Sequence, residues 1–537
     1  MRRSPATDAA CAVLEALVGL GVRHVVVSPG SRSQALALAA DALERAGSIR
    51  MHVRIDERAA GFTALGIGRE SGVPAALVCT SGTAVANYLP AVLEAHHAGV
   101  PLLLLTADRP PELRGVGANQ TTDQVGIYGG ATRLAVDAPV PEGSRGEHAE
   151  FAGLAARAFD ASTGRGGASA PGPAHLNLPF REPLAGELPE GFGAAVPPVE
   201  PVTAEPHPAT VLDRGPRTVV LAGADAGEAA VVAARAGGWP LLAEVISGAR
   251  TTPDAVAAYR GALREPSLGG RIERVVVFGH PTLNREETAL LSRPDIRIVA
   301  VRRGGEALNL NGGTEQADAV LVRDGAGAAG VGEPDDAWRA AWDRWSAEAG
   351  GVSERPSARE ALVAAVWRAS GPEDRLLFGS SRLVRVADDV LPPRAVRVHA
   401  NRGLAGIDGT IATGIGIALA SEGERDGGGT TRVLLGDLTF LHDVGALLLP
   451  AGERVPRVQV VVGNDGGGTI FDGLEVAQTA GAAAMERVQY TPQSVAIESI
   501  AAAYGWAYTR AETADALDAA LAEPPAGPHI IEVPLPR

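Results

Sequence analysis

Lysine is absent from the 537-residue sequence, so arginine supplies all 48 basic residues. A chain without lysine forms no Schiff base with pyridoxal phosphate or with a carbonyl substrate. It also lacks the lysine of a phosphate-binding P-loop and the Lys–Glu pair of a protein kinase. The composition therefore excludes covalent amine catalysis and these two classes of nucleotide enzyme.

Cysteine and long apolar runs are also scarce. Cys11 and Cys79 are the only cysteines, too few for a disulfide scaffold or a zinc-finger array and typical of a reducing compartment. The net charge of −15 argues against a general nucleic-acid binder. No stretch of about 18 consecutive apolar residues predicts a membrane span, and no apolar core of a signal peptide follows the N-terminus. We therefore expect a cytoplasmic protein.

Short β-branched runs alternate with helical patterns along the whole chain, which predicts parallel sheets covered by helices on both faces. We expect three α/β domains at residues 1–185, 186–350 and 351–537, with a proline-rich linker at 188–208. The predicted strands are 23–27, 51–55, 75–79, 101–106, 175–179, 218–222, 274–278, 296–301, 375–378, 395–399, 432–435, 458–462 and 529–533. The predicted helices include 33–45, 57–69, 83–95, 227–236 and 336–348.

Two acidic residues follow neighbouring predicted strands in the last third of the chain. Asp437 follows the strand 432–435, and Asp465 follows the strand 458–462, 28 residues further on. The carboxyl ends of parallel strands form the usual ligand-binding edge of an open sheet. Two carboxylates there suit a hard divalent cation that shares its oxygen ligands with a phosphate. The glycines at 466–468 would let the backbone approach the ion, so Gly467 is a candidate carbonyl ligand.

This spacing resembles the thiamine diphosphate motif, which usually runs from Gly-Asp-Gly to Asn-Asn. Here Leu438 replaces the third glycine and Asp465 replaces the second asparagine. Glu57 begins a predicted helix directly after a strand, as thiamine enzymes require. The resemblance implies that its carboxyl group binds the aminopyrimidine ring and promotes proton loss from the reactive thiazolium carbon. Taken alone, Glu57 would be an ordinary acidic residue at a helix N-terminus.

Seven further segments resemble one branch of these enzymes, the 2-succinyl-5-enolpyruvyl-6-hydroxy-3-cyclohexene-1-carboxylate (SEPHCHC) synthase family of menaquinone biosynthesis. The resemblance covers the first and last predicted domains almost completely, and the middle one weakly. It implies three doubly wound α/β domains. The first binds the pyrimidine ring of the cofactor, the second is the central domain, and the third binds the diphosphate. The segments are SPGSRS at 28–33, DER at 56–58, TSGTA at 80–84, TADRPPELR at 106–114, GANQ at 117–120, NRGLAGIDG at 401–409 and GDLTF at 436–440.

The resemblance implies a transferase that decarboxylates 2-oxoglutarate and adds the product to isochorismate in a 1,4-addition. Both substrates are polycarboxylates, which gives arginine a role in an acidic protein because guanidinium groups pair bidentately with carboxylates. The substrate-binding positions implied are Ser31, Arg32, Arg109, Asn119, Gln120, Arg285, Ser381, Arg385, Arg402 and Phe471. Those implied for thiamine diphosphate are Glu57, Ser381, Ile407, Asp437, Asp465, Ile470 and Leu474, and those for Mg²⁺ or Mn²⁺ are Asp437, Asp465 and Gly467.

The resemblance leaves three questions open. Asn284 stands beside Arg285 where the family often has a second basic residue, so one charge contact could be missing. The alternatives are a sibling thiamine enzyme similar to acetolactate synthase, or an inactive homologue with a binding role. A nucleotide-binding middle domain is a weaker alternative, since no phosphate fingerprint occurs there. The family also implies a dimer or a dimer of dimers, with each active site at a subunit interface.

Overall fold

The computed structural model describes residues 4–165, 170–193, 209–301, 304–323, 335–349, 355–421 and 429–537. Most of the predicted linker, and the predicted domain boundary at 350/351, lie outside these ranges, so the domain boundaries stay predictions. The chain forms two compact units, neither of them a continuous segment. The first unit is Met1–Glu205, Ile411–Glu424 and Asp443–Pro456; the second is Pro206–Thr410, Arg425–His442 and Arg457–Arg537.

The first unit contains a six-stranded parallel sheet in the order β2-β1-β3-β4-β6-β5. Strands β3, β4 and β6 are buried along their whole length, as expected for central strands covered on both faces. The strands are β1 (His24–Val27), β2 (Arg50–Val53), β3 (Ala76–Cys79), β4 (Leu102–Asp108), β5 (Leu134–Asp137) and β6 (Pro173–Pro179). The helices are α1 (Pro5–Gly19), α2 (Gln34–Arg45), α3 (Glu57–Ser71), α4 (Thr83–Asn87), α5 (Leu89–Ala98) and α6 (Glu147–Thr163).

The second unit begins with a five-stranded parallel sheet in the order β12-β11-β10-β8-β9, beside a parallel pair of β13 and β7. The strands are β7 (Ala209–Asp213), β8 (Thr218–Ala222), β9 (Leu241–Ala243), β10 (Arg274–Phe278), β11 (Arg297–Val301), β12 (Glu315–Ala317) and β13 (Ala319–Arg323). The helices are α7 (Glu228–Gly237), α8 (Tyr259–Arg264), α9 (Arg285–Leu291) and α10 (Asp336–Ala349). Tyr259, Trp338 and Trp342 fill the core on one face of this sheet.

The second unit ends with a six-stranded parallel sheet in the order β15-β14-β16-β17-β19-β18. The strands are β14 (Arg375–Phe378), β15 (Arg397–Ala400), β16 (Thr431–Gly436), β17 (Val458–Asn464), β18 (Ala507–Arg510) and β19 (His529–Pro534). The helices are α11 (Ala358–Ala369), α12 (Arg382–Val390), α14 (Asp437–His442), α15 (Val476–Thr479), α16 (Ala482–Ala484), α17 (Ile497–Tyr504) and α18 (Ala514–Ala522). Helix α13 (Thr410–Ser421) precedes β16 in the chain, and all but its first residue belongs to the first unit.

The α/β fold class and all thirteen predicted strands are confirmed, most with ends shifted by one or two residues. Strand 51–55 stops earlier than predicted, at Val53. The prediction of one helix over 83–95 is wrong, because the chain forms α4 and α5 with a break at Tyr88. Pro90 explains the break: it has no N–H to continue the hydrogen-bond ladder, so it sits in the first turn of a new helix.

Helices α3 and α13 pack in the first unit with unusually close backbones. A Cβ added at Gly66 would collide with the carbonyl oxygen of Thr413, and one at Gly416 would collide with that of Thr63. Glycine is therefore required on both sides of the crossing, since main-chain atoms cannot move aside as a flexible side chain can. The contact fixes α3, which begins at Glu57, against the helix that follows Ile407.

Gly416→Ala should lower the free energy of unfolding by about 2 kcal/mol or more, because the new methyl group meets backbone on α3. Gly153→Ala is the matched control: Gly153 is an exposed position of α6 with open space around its Cβ. Since alanine is the better helix former, this control should be neutral or stabilising by up to about 1 kcal/mol. Thermal unfolding of both variants measures the difference, and equal melting temperatures would contradict the close approach.

Candidate active site

Glu57 is placed by the first turn of α3. The side chain of Asp56 caps this helix, with Oδ1 accepting hydrogen bonds from the backbone N–H groups of Arg58 (2.9 Å) and Ala59 (3.4 Å). Glu57 is partly exposed and close to Cys79, which ends the neighbouring strand β3. Burial raises the pKa of the Cys79 thiol well above its usual range, and the Glu57 carboxylate adds to the shift. Glu57 therefore lies at the carboxyl edge of the first sheet.

Asp443 is a fully buried carboxyl group that contacts the first turn of this helix. Its Oδ2 accepts a hydrogen bond from the backbone N–H of Ala412 (2.9 Å) at the start of α13, and Arg58 of α3 lies 3.6 Å from Oδ1. Burial raises the pKa of Asp443 to about 7, although these two partners oppose the shift. One side chain thus ties the first turns of α3 and α13 together. Sequence reasoning missed Asp443, which lies three residues beyond the recognised segment GDLTF.

Two arginines converge at the carboxyl ends of β1 and β4. Arg32 is buried and donates from Nη1 to the carbonyl oxygen of Phe180 (2.9 Å). Arg109 donates from Nη1 to the hydroxyl oxygen of Ser81 (2.6 Å). Burial lowers the pKa of Arg32, and the positive charge of Arg109 lowers it further. Two like charges held near each other create a site that favours an anion.

Gln120 lies at the same edge of the sheet and forms two hydrogen bonds with Ser81. Its Nε2 donates to the carbonyl oxygen of Ser81 (2.9 Å), and the Ser81 hydroxyl donates to the carbonyl oxygen of Gln120 (3.0 Å). Ser31 and Asn119 lie in the adjoining exposed segments. The structure therefore brings Arg32, Arg109 and Gln120 together. Ser81 was part of a recognised segment but was not selected as a site residue.

The two predicted metal ligands lie at the carboxyl edge of the last sheet. Asp437 is buried directly after β16, and burial together with the nearby Asp465 carboxylate raises its pKa to about 6. Asp465 follows β17, and its Oδ2 accepts hydrogen bonds from Arg359 Nη2 (2.8 Å) and Thr469 Oγ1 (2.5 Å). Arg359 was not predicted from the sequence. Arg359 balances the charge of Asp465, whereas Asp437 lies buried beside this pair.

Two carboxylates at the ends of neighbouring strands suit a divalent cation. Gly467 lies next to Asp437 and donates a backbone hydrogen bond toward it. A Cβ at Gly467 would collide with the carbonyl oxygen of Tyr490, so only glycine brings the chain this close. No group of three or more His, Cys, Asp or Glu able to hold a metal occurs in the described part of the chain. The two aspartates and the Gly467 backbone could hold an ion that also binds oxygen atoms of a ligand.

Ser381 and Arg385 lie in the first turns of α12, on the same sheet edge. Ser381 caps the helix by accepting from the backbone N–H of Leu383 (3.2 Å), and Arg385 donates from Nη1 to the Ser381 carbonyl oxygen (3.1 Å). Burial lowers the pKa of Arg385, and the nearby Arg260 adds to the effect. Arg402 is buried just after β15 and contacts Thr282, in the turn between β10 and α9.

The remaining predicted positions are less enclosed. Ile407, Ile470, Phe471 and Leu474 are all partly exposed, and Phe471 packs against the backbone of Gly468. Arg285 is an exposed side chain that forms an ion pair with Glu475 (3.1 Å). Asn284 beside it is buried and donates to Asp388 Oδ2 (2.8 Å). Asn284 therefore lies in the interior of the second unit. It does not replace the second basic residue that the family often has beside Arg285.

Asp443→Asn should flatten the pH dependence of stability. Burial raises the pKa of Asp443 to about 7 in the folded protein, whereas in the unfolded chain the pKa lies near its ordinary value of 3.8. Stability therefore falls as the pH rises through this window, and asparagine removes that loss. We expect the melting temperature to drop less between about pH 5 and about pH 8 in Asp443→Asn than in the parent protein.

Asp518→Asn is the matched control, because Asp518 forms only an exposed ion pair with Arg368. Its stability profile should follow the parent. An Asp443→Asn profile that also follows the parent would contradict the buried, protonated state of Asp443.

Comparison with known proteins agrees with this arrangement. Residues 7–127 match the family model "Thiamine pyrophosphate enzyme, N-terminal TPP binding domain", and residues 384–533 match "Thiamine pyrophosphate enzyme, C-terminal TPP binding domain". The chain is 51% identical to the SEPHCHC synthase of Leifsonia xyli, covering 99% of this chain and 97% of that one. It is 49% identical to the enzyme of the same name from Clavibacter michiganensis, with the same coverage. The chain therefore belongs to the 2-succinyl-5-enolpyruvyl-6-hydroxy-3-cyclohexene-1-carboxylate synthase family of thiamine pyrophosphate enzymes.

Proposed function

We propose that this chain decarboxylates 2-oxoglutarate with thiamine diphosphate and adds the remaining fragment to isochorismate, forming SEPHCHC in menaquinone biosynthesis. The observation that carries the proposal is the relationship to SEPHCHC synthases along almost the whole chain. An inactive homologue is disfavoured, since Glu57, Asp437 and Asp465 are all retained. The predicted resemblance to this family is confirmed.

The residues present fit the cofactor at both of its ends. Glu57 would bind the aminopyrimidine, while Asp437, Asp465 and the Gly467 backbone would hold Mg²⁺ or Mn²⁺ against the diphosphate. When bound, thiamine diphosphate supplies a carbon nucleophile and accepts the electron pair that remains on the substrate fragment when CO₂ leaves. Ile407, Ile470 and Leu474 would border it with apolar surface, and Ser381 would contribute a hydroxyl group at the start of α12.

The arginines of the site would bind the carboxylates of the two substrates. Arg32 and Arg109 already lower the cost of placing an anion beside them, because each guanidinium lies in the field of the other. Gln120, Asn119 and Ser31 would add hydrogen bonds at this edge. In the second unit Arg285, Arg385 and Arg402 would serve the same purpose, and Phe471 would contact the substrate with its apolar ring. A site for pyruvate alone has less use for so many cations, which favours the dicarboxylate over an acetolactate synthase-like reaction.

The proposal includes a cytoplasmic location and an assembly of at least two copies, a dimer or a dimer of dimers. No helix in the described ranges has both the length and the apolar character needed to cross a membrane.

The direct test follows the loss of isochorismate in a mixture of the protein, thiamine diphosphate, Mg²⁺ and 2-oxoglutarate, with each component omitted in turn. Consumption that requires every component supports the proposal. Decarboxylation of 2-oxoglutarate or pyruvate without loss of isochorismate would contradict the acceptor and indicate a sibling thiamine enzyme. Binding of thiamine diphosphate without any reaction would indicate the inactive homologue.

Glu57→Gln should lower the turnover number by about 10²- to 10⁴-fold, because an amide cannot exchange a proton with the aminopyrimidine. The fold and the affinity for thiamine diphosphate should be retained, as measured by thermal unfolding and titration calorimetry. Glu498→Gln is the control, since Glu498 also stands in the first turn of a helix but is exposed on α17. It should keep full activity. Unimpaired turnover of Glu57→Gln would refute the role of Glu57.

A further inference from the structure

Glu244 is a fully buried carboxyl group at the end of β9 that no motif explains. Its Oε1 accepts two short hydrogen bonds, from the backbone N–H groups of Thr282 (2.7 Å) and Leu283 (2.6 Å). These two residues form the turn between β10 and α9. One oxygen atom of Glu244 therefore fixes the position of this turn.

The same turn holds the guanidinium group of Arg402. Nε of Arg402 donates to the Thr282 hydroxyl oxygen (2.9 Å), and Nη2 donates to the Thr282 carbonyl oxygen (3.0 Å). Nη1 donates to the hydroxyl oxygen of Ser380 (3.1 Å). Glu244 thus acts on Arg402 through two successive sets of hydrogen bonds, and all of these residues belong to the second unit.

The second oxygen of Glu244 faces another carboxyl group. Glu287 is also fully buried, and its carboxyl group lies close to that of Glu244. Burial holds the pKa of Glu244 well above its usual range and, together with the charge of Asp388, raises that of Glu287 to about 7. Among the described residues, Oε2 of Glu244 and Oε2 of Glu287 are both buried without a hydrogen-bond partner.

The polar side chains packed around Glu244 and Glu287 make contacts of their own. Arg250 forms a buried ion pair with Asp388 (2.8 Å), and the Tyr259 hydroxyl donates to Glu287 (2.6 Å). Arg385 is the other cation facing Glu244. Within the described residues, these contacts leave Glu244 Oε1 to bind the turn and not a cation.

We propose that Glu244 is a positioning residue that sets the orientation of Arg402 through the Thr282–Leu283 turn. The inference rests on the proposed function, in which Arg402 binds a substrate carboxylate. Losing the Oε1 acceptor leaves two buried N–H groups without a partner, and the turn must move to satisfy them. Arg402 then loses its fixed geometry while the cofactor residues Asp437 and Asp465 keep theirs.

The test compares Glu244→Ala with Glu244→Gln. Alanine should raise the KM for one of the two carboxylate substrates by about tenfold, with kcat within about threefold and the affinity for thiamine diphosphate unchanged. Glutamine should restore the parent KM, because its amide oxygen still accepts both N–H groups. Thr282→Val removes only the hydroxyl acceptor of Arg402 and should give a smaller rise for the same substrate.

Two results in this series would overturn the proposal. One is a loss of kcat and cofactor affinity without a change in KM, as expected for general destabilisation. The other is Glu244→Gln behaving like Glu244→Ala. In an Arg402→Gln background, Glu244→Ala should add little to KM, and fully additive effects would also count against it.

Hydrogen exchange gives a readout that does not depend on activity, so failure of the proposed function can be told apart. Glu244→Ala should speed amide exchange both at 282–283 and at 401–404, whereas Glu244→Gln should leave both protected. Faster exchange at 282–283 alone would mean that the turn does not transmit its position to Arg402. If the parent enzyme consumes no isochorismate, the proposed function fails, and the exchange pattern still decides whether Glu244 orders the segment containing Arg402.

Discussion

Parallel strands place their carboxyl ends on one edge of a sheet, and every candidate site in this molecule depends on that constraint. Side chains far apart in sequence meet because each follows a different strand of the same sheet. Asp437 and Asp465 follow β16 and β17, and Arg32 and Arg109 follow β1 and β4. The helices that begin at this edge then set the direction in which each polar group points.

The edge concentrates buried charge, and the chain manages it without lysine. Arginine forms several hydrogen bonds in one plane, which suits positions where a cation must be held by carbonyl and hydroxyl oxygens. Arg32 and Arg402 are both bound in this way. Burial raises the pKa of the Asp443 and Glu244 carboxyl groups, and both accept hydrogen bonds from backbone N–H groups.

The sequence was sufficient for the fold class and for most of the strands that are buried on both faces, because such strands read as unbroken apolar runs. The buried strand β9 was missed, because it has only three residues. The sequence also failed for short or partly exposed strands such as β5, β12 and β18, whose polar residues carry no clear alternation. Pro90 marks the break between α4 and α5 in the sequence, but the helical pattern predicted one continuous helix across it. Motif reasoning identified Glu57 and the aspartates, yet it could not find Glu244, because a contact made through a turn leaves no local pattern.

The interrupted course of the chain has a consequence for its synthesis. The first unit takes its last segment from Asp443–Pro456, so it cannot be completed until most of the 537 residues have left the ribosome. The helix that packs on α3 through Gly66 and Gly416 is among the late arrivals. Until then the nascent chain must keep the matching face of α3 exposed, a period in which chaperone binding would protect it.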